Sequence, residues 1–142
     1  MTDVIEPQFV DTNVLVYAYD VEAGEKYRLA TRLLENIWRQ KNGCVSVQVL
    51  QEFYVNITRK SKQSLSAENA KRAIHSFSVW KVFRHDVEDV LAAIDVQQRF
   101  QISFWDALVV RSAQRLGCKT LWSEDLSDGQ DYDGVKVVNP FN

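Results

Sequence analysis

The chain has 142 residues, with 19 acidic against 17 basic side chains and a formal charge of −2. That length accommodates one domain with a real core, expected over residues 1–142, and the charge balance excludes a protein that holds nucleic acid by bulk positive charge. A composition of 46% hydrophobic and 25% charged residues excludes a disordered chain.

Gln8-Phe9-Val10 is a short apolar run closed by Asp11 and reads as a strand. Asp11, Thr12 and Asn13 are all good helix caps, so a helix start there is the plain alternative to a functional acid. From Glu22 to Lys41, apolar residues recur at Ala30, Leu33, Leu34, Ile37 and Trp38, the spacing of a helix. Gly43 precedes a second short strand at Cys44-Val45. Ser46 then opens a helix to Lys60, with Val49, Leu50, Phe53 and Ile57 on one face. Ser66 is a candidate N-cap for a helix through Phe77, and Val79 to Phe83 reads as a third strand. Val87, Val90, Leu91 and Ile94 mark the next helix. Ser103 to Leu116 is a further helix closed by Gly117. Thr120-Leu121-Trp122 and Val135 to Val138 are the last strands, the second entered through an Asp133-Gly134 turn.

This alternation predicts an α/β layer fold with a mostly parallel sheet. Ligands of such sheets bind beyond the carboxyl ends of the strands. Asp11, Ser46 and Ser123-Glu124-Asp125 each follow a strand and so point to the same edge.

The longest apolar run, Val14 to Tyr19, is far short of the roughly 20 residues of a membrane helix. Met1 to Gln8 carries Asp3 and Glu6 and shows no secretory pattern. Cys44 and Cys118 form no CxxC and read as free, buried thiols of a cytoplasmic protein. With His75 and His85 as the only histidines, a zinc site is not expected.

Asp11 suits a helix cap as well as a site, and its place at the sheet edge favours the site. Glu52 borders the apolar face of its helix, where an acid by itself belongs to the solvated side. Asp106, three residues after Ser103, suits the first turn of a helix, yet Phe104, Trp105, Ala107 and Leu108 around it imply partial burial. Asp125 lies in a loop crowded with Glu124, Asp128, Asp131 and Asp133, most of which read as solvated. As a set, the four acids lie tens of residues apart, after strands one and four and early in two helices. Carboxylates held together repel unless a cation sits among them. An all-oxygen donor set selects Mg²⁺ or Mn²⁺, and such ions bind phosphates and activate water for in-line attack.

The sequence resembles the PIN-domain family, and within it the VapC-type toxins of bacterial toxin–antitoxin pairs. The resemblance runs through Phe9-Val10-Asp11-Thr12-Asn13-Val14-Leu15, Ser46-Val47-Gln48-Val49-Leu50-Gln51-Glu52-Phe53, Ser103-Phe104-Trp105-Asp106-Ala107 and Ser123-Glu124-Asp125-Leu126. It implies a three-layer α/β/α sandwich and an Mg²⁺- or Mn²⁺-dependent endoribonuclease, hydrolysing RNA with metal-activated water to leave a 5′-phosphate and a 3′-hydroxyl. It further implies a small cognate antitoxin as partner and a homodimer. Asp11, Glu52 and Asp106 match the three family acids. Asp125 matches the more variable fourth, for which Glu124 or Asp128 could substitute. By the same resemblance Asp11 and Asp106 hold the metal most directly, and Glu52 and Asp125 complete the pocket. Thr12, Asn13 and Ser103 orient carboxylates or contact a phosphate oxygen.

Arg59-Lys60-Ser61-Lys62 and Lys71-Arg72 are candidates for a basic rim, against a default of solvated helix ends. Trp38, Tyr54, Phe77 and Trp80 could stack bases, against a default of core packing. Two rival functions stand beside the nuclease. One is a haloacid-dehalogenase-like phosphatase, whose second Asp would here be Asn13. The other is a PIN-like module that only binds a partner protein.

Overall fold

The computed structural model describes residues 5–59 and 64–142. Its elements are β1 (Gln8–Val10), α1 (Thr12–Tyr17), a 3₁₀ turn (Val21–Ala23), α2 (Glu25–Gln40), β2 (Gly43–Ser46), α3 (Val47–Ile57), α4 (Ala67–Phe77), β3 (Lys81–Phe83), α5 (Val87–Phe100), α6 (Phe104–Arg115), β4 (Thr120–Trp122), β5 (Asp131–Tyr132) and β6 (Val135–Val138). The strands form one sheet in the order β3-β2-β1-β4-β6-β5. All pairings are parallel except the β5–β6 hairpin.

Short strands suffice because both faces of the sheet are covered. Phe9 and Val10 are both fully buried, as adjacent residues must be in the centre of a layered parallel sheet. Helices α1, α2, α3 and α4 pack on one another, with α3 against β2, while α6 packs on β2, β4 and β6 and carries α5 outside it. The result is the expected three-layer α/β/α sandwich. The core joins the layers through Phe9, Leu15, Ile37, Phe53, Phe77 and Leu121.

The chain leaves β1 toward β2 and β3 and later returns to its other side as β4. That reversal is the switch point where open α/β sheets bind ligands. The ladder runs past the strand ends there: Asp11 N–H donates to the Trp122 carbonyl at 2.9 Å, and Ser123 N–H to the Val138 carbonyl at 3.1 Å. Backbone pairing alone therefore brings Asp11 and Ser123 side by side.

Several boundaries differ from the sequence expectations. Asp11 does open a helix, but a separate one of six residues, so α2 starts only at Glu25 after the 3₁₀ turn. Val79 and Trp80 finish the turn after α4, and the third strand begins at Lys81. Strand β5 was not expected. The Asp133-Gly134 turn that was expected pairs it with β6, both turn residues taking positive φ (52° and 97°), as a tight hairpin requires.

The helix marked by Val87, Val90, Leu91 and Ile94 is present as α5, with that stripe turned largely outward: Val87 is 73% and Leu91 59% exposed, Ile94 is also exposed and Val90 is half-buried. The buried side is Asp89, Ala93 and Val96. A charged residue holds the inner face because α6 supplies two arginines to meet it: Asp89 Oδ1 accepts from Arg111 Nε at 2.9 Å and Arg115 Nη1 at 2.8 Å. Its Oδ2 accepts from the Asp86 N–H at 3.0 Å, completing a capping box.

The aromatic candidates divide. Phe77 and Trp80 are buried core, with rings 4.9 Å apart, and Trp38 stacks on Phe77. Tyr54 is exposed. The Trp80 ring lies so close over Gly43 that a Cβ there would come within 2.5 Å of it, which explains a glycine at the first position of β2. Of the basic rim candidates, Lys60, Ser61 and Lys62 lie outside the described residues. Arg72 pairs with Glu68 one turn away on α4, as a solvated helix face does. Cys44 and Cys118 are free and buried, as expected, and their thiols meet in the core, where the hydrogen bond and burial push Cys118 up.

Candidate active site

Four loops or helix starts converge at the carboxyl edge of the sheet. Asp11, 4% exposed, ends β1 and caps α1. Its Oδ1 accepts from the Thr12 N–H at 2.7 Å and its Oδ2 from the Ser123 hydroxyl at 2.8 Å. Both oxygens are thus held by neutral donors, with no counter-charge among the described residues. Burial raises the Asp11 pKa to about 7; the Ser123 and Thr12 bonds oppose the rise, and the charges of Asp125 and Asp106 add to it.

Asp106 is in the first turn of α6, where its N–H donates to the Ser103 hydroxyl at 3.1 Å. The helix-start reading of Ser103 and Asp106 is therefore right for the backbone. Burial, then the negative charge of Glu52, pushes Asp106 up, against a lowering from Ser103. Asp125 follows β4 in the next loop. Both its oxygens accept from Asn13 Nδ2 at 2.8 Å, and its N–H donates to Ser123 Oγ at 3.2 Å. Burial raises it too, followed by the charges of Asp106 and Glu124.

Each of Asp11, Asp106 and Asp125 offers a carboxylate oxygen, and the three lie within 4.8 Å of one another. Glu52 stands beside this group rather than in it. The Thr12 hydroxyl donates to its Oε1 at 2.7 Å, and Gln48 Nε2 approaches its Oε2 at 3.4 Å. Glu52 is half-buried and so is not on the fully solvated face its helix position suggests alone. Of the two substitutes for the fourth acid, Glu124 is engaged by Lys26 and by the Tyr17 hydroxyl. Asp128 accepts from the Asn139 N–H and from Asn142, which hold it below its ordinary value. The geometry thus brings Asp125, not its neighbours, to Asp11 and Asp106.

Thr12 and Asn13 are hydrogen-bonded to the carboxylates, Thr12 to Asp11 and Glu52 and Asn13 to Asp125. Two further residues were not among the expected site. Ser123 is fully buried, and its one hydroxyl donates to Asp11 while accepting the N–H groups of Asp125 and Leu126. Its signal was visible as a polar residue directly after a strand. Gln48 links Glu52 to the Trp105 carbonyl at 3.2 Å, which nothing in its local sequence announces.

The donor set fits a hard divalent cation. It is all oxygen, has no histidine or cysteine in the group, and consists of acids whose pKa values are raised first by burial and then by one another's charge, both of which a cation would offset.

No curated protein sequence matches the chain. Among solved structures, a toxin–antitoxin complex from Klebsiella pneumoniae is similar at 19% identity, covering 94% of this chain and 97% of that one, with a TM-score of 0.65. The sarcin–ricin-loop-cleaving toxin VapC20 of Mycobacterium tuberculosis is similar at 23% identity over 83% and 89%, with a TM-score of 0.64. DNA-bound VapBC from Salmonella typhimurium is similar at 14% identity over 94% and 97%, with a TM-score of 0.66. The sequence profile of the PIN domain matches residues 9–127, a span that opens two residues before Asp11 and closes two after Asp125. The chain belongs to the PIN-domain family.

Proposed function

We propose that this chain, as one domain over residues 1–142, is an Mg²⁺- or Mn²⁺-dependent endoribonuclease and the toxin of a toxin–antitoxin pair. The observation that carries the reading is the meeting of Asp11, Asp106 and Asp125 at the switch point of the sheet. Asp11 and Asp106 would hold the ion most directly, and Asp125 would be the third ligand. When bound, such an ion neutralises the acids, polarises a phosphoryl oxygen and makes water a better nucleophile at neutral pH.

The rest is positioning by the protein. Ser123 and the Thr12 N–H fix both oxygens of Asp11, Asn13 fixes Asp125, and Thr12 fixes Glu52. Glu52 is left at the rim to orient water toward the phosphorus. Ser103 caps α6 and so sets where Asp106 stands. The phosphatase alternative gives Glu52 and Asp106 no work, and a pure binding module gains nothing from gathered acids.

RNA as substrate and a small antitoxin as partner are supported by solved relatives of this fold, which include a sarcin–ricin-loop-cleaving toxin and toxin–antitoxin complexes. A homodimer is part of the same proposal, and the outward apolar residues of α5 support a docked partner. None of the described helices is long and apolar enough to cross a membrane, and a cytoplasmic location is proposed.

The test is cleavage of single-stranded RNA by the purified chain with Mg²⁺ or Mn²⁺. EDTA should stop it, and Asp11→Asn or Asp106→Asn should lower it at least about a hundredfold with the fold intact. Metal-independent cleavage, or full activity in both variants, would overturn the reading. Release of phosphate from small phosphoesters without RNA cleavage would favour the phosphatase.

A further inference from the structure

Trp105 is 60% exposed, yet it immediately precedes Asp106 in the first turn of α6. A tryptophan left in water forgoes a large burial gain, and this one adjoins an acid of the candidate site. It is also held in place. Its carbonyl accepts from Gln48 Nε2 at 3.2 Å, and Gln48 is itself only 5% exposed and touches Glu52 from the same nitrogen. Its ring meets Phe104 edge-on, with centroids 5.1 Å apart and planes at 78°. That contact braces the indole while most of its surface stays open. The same amide thus ties the backbone under the indole to an acid of the candidate site.

We propose that Trp105 is a base-stacking subsite, taking one unpaired nucleobase next to the phosphodiester that reaches Asp11, Asp106 and Asp125. This deepens the nuclease reading and rests on it. Every base has a π face, so the contact selects single-stranded over paired RNA without selecting sequence. A base already stacked in a duplex cannot offer that face. The acids favour a nucleic acid over a protein as the occupant, because Trp105 adjoins Asp106 in the chain and Asp106 belongs to a group suited to a phosphate.

The test compares the wild type, Trp105→Ala and Trp105→Phe on single-stranded RNA oligonucleotides, intact or with one abasic nucleotide moved across the cleavage position. Trp105→Ala should raise KM roughly tenfold to a hundredfold with little change in kcat, and Trp105→Phe should recover most of it. At one position beside the cut, the abasic nucleotide should cost the wild type as much as the alanine does, and cost Trp105→Ala nothing more. An unchanged KM in Trp105→Ala, or penalties that multiply at every position, would overturn the proposal. So would a Trp105→Ala protein that cleaves normally and loses only self-association on size exclusion, since the tryptophan would then be a protein contact. An inert wild type would refute the nuclease reading instead. Anisotropy of the same labelled oligonucleotides on Asp11→Asn, with and without Trp105→Ala, then decides the base contact separately.

Discussion

Two aspartates are buried almost equally in this fold and live in opposite surroundings. Asp89, 1% exposed, receives two arginines and a backbone N–H, so both its oxygens are bonded and two positive charges face it. Burial alone would raise its pKa, but the Asp86 backbone, Arg111 and Arg115 bring it below the ordinary value. Asp11 is held by a hydroxyl and one backbone N–H and faces two more acids, and its pKa rises to about 7. A buried charge that has its partners is structural; one left with like charges is poised for something that arrives later.

Breaking the Asp89 side of this contrast should have the largest effect. Asp89→Asn leaves two guanidinium groups facing a neutral side chain and should cost about 3–5 kcal/mol in urea unfolding. The pH signs also oppose. The lowered pKa of Asp89 gives stability that is present above its unfolded value near 3.8 and is lost as pH falls through its folded value. The raised pKa of Asp11 does the reverse: its stability is fully present below 3.8 and is lost as pH rises toward 7. Metal-free protein should therefore be more stable at pH 5 than at pH 8. Asp11→Asn should remove much of that difference, gaining about 1–3 kcal/mol at pH 8 and little at pH 5. A variant that loses stability at pH 8 would show that Asp11 is a structural acid like Asp89.

A smaller effect sharpens the comparison further. Ser123→Ala removes the one side-chain donor to Asp11 among the described residues and should weaken Mn²⁺ binding roughly tenfold, read by titration calorimetry, with the fold retained. Gly43→Ala, remote from both aspartates, is the control and should leave the comparison itself untouched. It should cost about 1–3 kcal/mol through the Trp80 contact and leave metal affinity unchanged.

The same contrast explains what could be read from the sequence. The acids of the candidate site stand at element starts, after strands and beside caps, where local chemistry marks them. Asp11, Glu52, Asp106 and Asp125 are therefore legible as a set of four in the sequence, of which three meet in the fold. Asp89 was invisible, because its partners Arg111 and Arg115 are a helix away and only packing joins them. The outward turn of the α5 stripe is illegible in the sequence for the same reason. Val87, Leu91 and Ile94 recur at helical spacing, and periodicity cannot tell a stripe meant for the core from one left for a partner. Strand β5, two residues long and half polar, carried no pattern of its own and exists because β6 pairs with it. Glu52 was ambiguous alone, and it takes Thr12 from another element to give it a role.

Ser123 offers more than support. Its hydroxyl proton is sealed from water and points at one oxygen of Asp11. Such a proton exchanges slowly enough to be followed as a resonance in its own right, and its frequency tracks the charge on the oxygen it meets. The fold thus carries a built-in reporter: titrating acid or cation would move one hydroxyl signal, and the site could be watched filling without altering any residue that fills it.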